Sequence, residues 1–161
     1  MPAKLFAVKQ AEVEVTTILG SCVSVCIYDE KNKVFGINHY LLPFYNIQDP
    51  QTLKYGDAAI NELIEEMIKI GGDLNYFAAK VFGGANVLDI QDNSFKIGQK
   101  NIEIAFKLLE KFNIKLLNFD VEGIYGRKII ANSNNFEIKL KRIIKSNGRS
   151  VCETNRFENY S

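Results

Sequence analysis

The sequence predicts an α+β fold in which layered β-sheets are flanked by helices. Short β-branched and apolar runs recur along the whole chain, and only two stretches carry a helical period. Those two stretches do not alternate regularly with the strands, so a doubly wound parallel sheet is not expected.

The elements follow in order. Residues 12–16, Glu-Val-Glu-Val-Thr, alternate as a half-buried strand does. Residues 22–28 are apolar and β-branched and read as a buried strand, although periodicity alone leaves open a short helix starting at Ser21. A polar turn at residues 29–33 leads into a second strand over 34–40, so the two form a hairpin that Pro43 closes. Residues 44–55 are an irregular loop. A helix spans 57–70, with Ile60, Leu63, Ile64 and Met67 on one face and Gly71-Gly72 as its stop. A strand over 76–82 ends in Gly83-Gly84, residues 94–98 read as a loop, and a second helix covers 100–112 with Asn113 as a left-handed stop. Three short strands follow, near 115–119, 127–131 and 136–142. A single domain is therefore expected over 1–145, with a polar, flexible tail over 146–161.

The totals narrow the function. With 161 residues, 47% hydrophobic and 24% charged, the chain is an ordinary globular domain that needs no staples. A net charge of +1 gives no reason to expect nucleic acid or an anionic membrane surface as partner. The cysteines are Cys22, Cys26 and Cys152, an odd count that argues against a disulfide framework. The N-terminal stretch does not have the form of a secretory signal, and no apolar run approaches the ~18 residues of a membrane helix, so the expected compartment is the cytosol. His39 is the only histidine. The scattered Cys, Asp and Glu do not complete a zinc site around it, and any imidazole chemistry must use it.

One stretch stands out, Leu-Gly-Ser-Cys-Val over residues 19–23. Free cysteine usually packs as a small buried hydrophobe, and that reading suffices for Cys26. Cys22 instead follows Gly20-Ser21 at the mouth of the run. A hairpin would bring Cys22 and His39 to the same end of the sheet, as a thiol nucleophile and its base require. Thr16, closing the preceding strand, could reach that end with a hydroxyl, and the backbone N–H groups of Gly20 and Ser21 could hold an oxyanion. The glycine turns at 82–86 and 123–127 match no phosphate-binding pattern and read as strand ends that need φ > 0. The carboxylates of Glu62, Glu65 and Glu66 read as a solvated helix face.

Taken whole, residues 16–43, TTILGSCVSVCIYDEKNKVFGINHYLLP, resemble the CheD family of chemoreceptor glutamine deamidases. KYGDAAINEL (54–63), KVFGGANV (80–87), IGQKN (97–101), DVEGIYGRKI (120–129) and LKR (140–142) continue the likeness in order. Glu122 departs from the pattern, standing where the family usually has glycine. The resemblance implies Cys22 as nucleophile, His39 as general base and acid, and Thr16 as the group orienting His39; Gly83 and Gly84, which end a strand where a side chain would force strain or block a close approach, are expected to shape the site together with Gly20 and Ser21. The resemblance also implies a fold like that of the toxin-type cysteine deamidases and a reaction that needs no metal or organic cofactor. The implied substrates are glutamines of methyl-accepting chemotaxis receptors, and the implied further partner is a CheC-type phosphatase. Two other readings stay open: a docking module in which deamidation is secondary, and a thiol acyltransferase or protease using the same residues.

Overall fold

The computed structural model describes residues 3–50, 52–86, 94–146, 149–152 and 157–161. Among the described residues, ten strands and two α-helices make three layers. The middle layer is a five-stranded sheet in the order β1 (Lys4–Lys9), β4 (Val34–His39), β3 (Val23–Asp29), β5 (Phe77–Gly83), β6 (Lys115–Val121). All its pairings are antiparallel except β5 with β6. Helices α1 (Gly56–Lys69) and α2 (Ser94–Lys111) cover one face, and a second sheet covers the other. That second sheet joins β2 (Glu14–Leu19), β7 (Gly126–Asn132), β8 (Ile138–Ser146) and β10 (Glu158–Tyr160), with β9 (Arg149–Cys152) also paired to β8. The expected layered α+β class is what the structure shows.

Strand alternation divides the core in two. Val23, Val25 and Ile27 of β3 face the helices, packing with Ile60, Leu63 and Met67 of α1 and Ala105 of α2. Cys26 and Tyr28 face the second sheet, with Phe35, Ile37, Ile129 and Leu140. Because β3 and β4 are covered on both faces, all seven and all six of their residues are buried, as a central strand's near-continuous apolar run implies. Fully burying one Val or Ile side chain stabilises by roughly 1.5–3 kcal/mol, so this central pair anchors the domain.

The course of the elements differs from the sequence reading in three places. Strand β1 was not expected: Leu5 and Ala7 pack toward the helices while Phe6 and Val8 pack toward the second sheet, so no two-residue alternation marks it. Residues 94–98 are not a loop but the start of α2. Gly98 looks like a breaker, yet it lets the helix close on the β5 turn, where a Cβ would lie 2.7 Å from the Gly84 carbonyl oxygen. The chain end is not free at 158–160, which pairs with 138–140. Lys80, buried on β5, donates to the Phe136 carbonyl at 2.7 Å and to the Tyr160 carbonyl at 2.9 Å, and the Tyr160 hydroxyl donates to Asp120 at 2.7 Å. Among the described residues, no helix is long and apolar enough to cross a membrane.

Candidate active site

Strand β2 ends in one sheet at Leu19 and β3 begins in the other at Val23, so Gly20, Ser21 and Cys22 form the crossing between the sheets. The crossing is held from several sides. The Ala85 N–H donates to the Gly20 carbonyl and the Gly84 N–H to the Cys22 carbonyl, both at 2.8 Å. The Asn101 side-chain amide of α2 donates to the Ser21 carbonyl at 3.0 Å. On the far side of Cys22, Val23 and Tyr40 exchange backbone hydrogen bonds of 3.1 and 3.0 Å.

That exchange keeps the register in which Cys26 opposes Ile37, so Ser24 lies directly across from His39. Cys22 shares the face of Ser24, one step along. Cys22 and His39 are therefore diagonal neighbours on the face turned to the second sheet, within reach of a long or planar side chain. Cys22 is half-buried, whereas Cys26 is fully buried. His39 is only 3% exposed. Its Nδ1 lies 2.8 Å from Thr17 Oγ1, and its Nε2 is buried with no hydrogen-bond partner among the described residues.

The structure thus gathers Gly20, Ser21, Cys22, His39, Gly83 and Gly84 at one end of the central sheet and leaves Thr16 out. Thr16 is exposed on the outer face of β2, and Thr17 is the hydroxyl that meets His39. This is a correction, and alternation supplies its reason. Residues i and i+2 share a face, so Thr16 goes with exposed Glu14 while Thr17 goes with buried Leu19. The outward Glu14 was the available signal.

Gly83 and Gly84 take φ of 114° and 67°, conformations that side chains rarely adopt. A Cβ on Gly83 would run into the Cys22 carbonyl, and one on Gly84 into Ile102. Their bareness is what allows the β5 end to lie against the crossing. Beyond them a cleft of about 230 Å³ is lined by Gly84, Asn86, Gln99, Glu122, Gly123 and Ile124. Glu122 belongs to the same assembly through its backbone: its N–H donates to the Gly83 carbonyl at 3.0 Å and its carbonyl accepts from Arg127 at 2.7 Å.

Burial shapes the protonation of the pair. It raises the Cys22 thiol above its ordinary value of 9.0, partly opposed by the residue's own backbone N–H. It lowers His39 from 6.5 to about 4. At neutral pH the resting pair is thus thiol and neutral imidazole, not thiolate and imidazolium. Cys26, wholly buried, is pushed up to about 12. Among the described residues, no group of three His, Cys, Asp or Glu side chains could hold a metal ion.

Known proteins resemble the chain over most of its length. Residues 41–142 match the CheD family, described as CheD chemotactic sensory transduction. A Trichlorobacter lovleyi protein named "Probable chemoreceptor glutamine deamidase CheD" is 42% identical over 131 residues, covering 81% of each chain. A protein of the same name from Sulfurimonas denitrificans is 41% identical over 145 residues, covering 89% of this chain and 92% of its own. One from Shewanella oneidensis, named "Probable chemoreceptor glutamine deamidase CheD 1", is 35% identical over 150 residues, covering 89% of this chain and 70% of its own.

Proposed function

The chain belongs to the CheD family, and from that membership we propose that it deamidates glutamine side chains of chemotaxis receptors to glutamate. The observation that carries the proposal is the facing pair: a half-buried Cys22 diagonal to a His39 whose Nε2 is unpartnered among the described residues while Thr17 holds Nδ1. In the tautomer where Nδ1–H donates to Thr17, Nε2 has its lone pair available as a base.

In the proposed reaction Nε2 takes the thiol proton of Cys22 as sulfur attacks the carboxamide carbon, because the thiolate is the nucleophile. The C–S bond forms, the carbonyl π pair moves to oxygen, and backbone N–H groups at the crossing hold the oxyanion. As the tetrahedral centre collapses, the C–N bond breaks and the imidazolium gives its proton to the departing ammonia. A water deprotonated by Nε2 then attacks the thioester, and Cys22 leaves with the proton returned to sulfur. Every proton is carried by His39. The neutral resting pair suits a site that forms its thiolate only when substrate excludes water and aligns the groups.

A CheC-type phosphatase remains the further partner this reading implies, docking over the same mouth. The test of the reaction is mass spectrometry of a receptor cytoplasmic fragment after incubation with the protein. Each modified site should gain about one mass unit, the difference between an amide and an acid, with one ammonia released. A fragment that binds but keeps its mass would refute deamidation and leave a docking module.

A further inference from the structure

We infer that Asn101 is a positioning residue for the proposed reaction: it fixes the Ser21–Cys22 peptide so that the Cys22 N–H is presented as an oxyanion donor. The inference rests on the thiol-deamidation reading above. Asn101 lies on α2, on the helix side of the central sheet, and is fully buried. Its Nδ2 donates to the Ser21 carbonyl at 3.0 Å and to the Leu41 carbonyl at 2.9 Å. Both acceptors are carbonyls, so the end of the amide that meets them must be the NH2 group. Both its protons are then committed, and Oδ1 is left buried with no partner among the described residues. A fully buried amide that leaves its oxygen unpaired serves the donor end.

The two acceptors are not equivalent to any pair of carbonyls. Ser21 immediately precedes Cys22, and Leu41 follows His39 by two residues, so one amide ties the nucleophile's segment to the base's segment. There is no cis peptide bond among the described residues. In a trans peptide the C=O and N–H point in opposite directions. With the Ser21 carbonyl drawn toward α2, the Cys22 N–H is turned toward the opposite face, where Cys22 and His39 look to the second sheet. The same N–H works against the rise that burial imposes on the Cys22 thiol. Among the described residues no carbonyl accepts from it or from the Ser21 N–H. The next peptide is fixed as well, by Gly84 donating to the Cys22 carbonyl and Val23 donating to Tyr40. The hydroxyl of Tyr40 donates to the Asn101 carbonyl at 2.6 Å, which holds the clamp itself in place.

An oxyanion donor matters in the tetrahedral state and little in the ground state. Asn101→Ala and Asn101→Ser should therefore lower kcat on a receptor fragment by about 10²-fold or more for Ala, the loss typical of one oxyanion donor, and by less for Ser, which keeps one donor. KM should stay within about threefold, and so should the rate of Cys22 alkylation by iodoacetamide, which has no oxyanion to stabilise. Circular dichroism identifies the variants that fold. A folded variant with wild-type kcat overturns the inference, and so does a parallel fall in kcat and alkylation, which marks a structural role alone. A measurement on the wild type stands even if neither variant folds. A peptide bearing glutamine aldehyde should add to the Cys22 sulfur, its carbonyl oxygen becoming the hemithioacetal oxygen, and the Cys22 amide proton should shift downfield. An adduct without that shift overturns the inference while leaving the deamidation reading standing. A wild type that neither forms the adduct nor releases ammonia overturns the reading itself.

Discussion

At the turn of the β3–β4 hairpin, buried Asp29 accepts from the Asn32 N–H at 2.9 Å, the Asn32 side-chain amide at 2.7 Å and the Asp73 N–H at 2.8 Å. At the open end of the same hairpin, His39 Nε2 and Asn101 Oδ1 are buried without a partner among the described residues, and so is Asn86 Oδ1 beside the cleft. A buried polar group that finds no partner at all costs about 1–3 kcal/mol, so the placing of such atoms needs a reason. The turn end is built for stability alone. At the open end the two atoms are explained differently: Asn101 Oδ1 is what remains once both amide protons are committed, whereas an uncommitted His39 Nε2 is the pattern expected where a substrate supplies the partner.

Substitutions at the two ends should separate activity from stability. The largest effect is expected from Cys22→Ala, which should abolish ammonia release and leave the thermal unfolding midpoint almost unchanged. Cys26→Ala, four residues into the same strand, should keep the rate and cost ~1 kcal/mol as a small core truncation. His39→Ala should lower the rate at least ~10²-fold. Thr17→Ala should cost less than that and Thr17→Ser should recover most of it, since only the hydroxyl meets Nδ1. Thr16→Ala should match the wild type. An inert Thr16→Ala beside an active Thr17→Ala would reverse the assignment. At the turn, Asp29→Ala should cost about 1–3 kcal/mol in denaturant unfolding with the rate preserved. A rate loss there without instability would break the division between the ends.

Acid should erode the two ends over different ranges. His39 titrates near 6.5 when unfolded and at about 4 when folded. Between those values the unfolded chain binds the proton that the folded chain refuses, so this contribution to stability is lost as pH falls from about 6.5 toward 4. His39→Gln should flatten that slope. At Asp29 burial raises the carboxyl, but the hydrogen bonds from Asn32 and Asp73 outweigh it, and the group ends below its ordinary 3.8. Its contribution is present above that value and fades only at lower pH. Alkylation gives a second comparison. With the thiol raised by burial, Cys22 should react more slowly at pH 7 than a free thiol and speed up as pH climbs past 9. A rate independent of pH down to 5 would mean a preformed thiolate–imidazolium pair.

What was legible in the sequence follows the same division. The hairpin, both helix faces and the left-handed stop at Asn113, with φ of 54°, could be read because each has a local cause: a polar turn, a 3.6-residue period, a residue type that tolerates the conformation. The placing of Cys22 and His39 at one sheet end needed only the hairpin. Thr17 was missed although the alternation of Glu14 and Thr16 carried the sign. Strand β1, the first turn of α2 and the pairing of 158–160 were missed because tertiary contacts decide them: burial on both faces, a Gly98–Gly84 approach, a buried Lys80. Asn101 was unreadable for a deeper reason. Its partners are carbonyls of Ser21 and Leu41, and no side-chain pattern reveals which backbone groups a fold leaves in need of a donor.

The smallest expected effect lies at Glu122, on the rim shared by the cleft and the crossing. Its φ of 63° places an L-residue in the left-handed region, which costs roughly 1–2 kcal/mol relative to the usual backbone. The backbone bonds to Gly83 and Arg127 hold it there. Glu122→Gly removes the Cβ clash but gives the unfolded chain more freedom, a loss of about 0.4–1 kcal/mol. The net gain should lie between nothing and about 1.6 kcal/mol, a rise of at most a few degrees in the unfolding midpoint. Glu122→Gln keeps the strain and removes the charge, so its midpoint should stay with the wild type. Among the described residues the carboxylate engages none of Cys22, His39 or Thr17, and both variants should turn over within a few-fold of the wild type. If both lose the rate together, the carboxylate itself acts on substrate. If only Glu122→Gly does, the strained backbone is what holds the Gly83 turn against Cys22, and the rim belongs with the open end of the hairpin rather than with the scaffold.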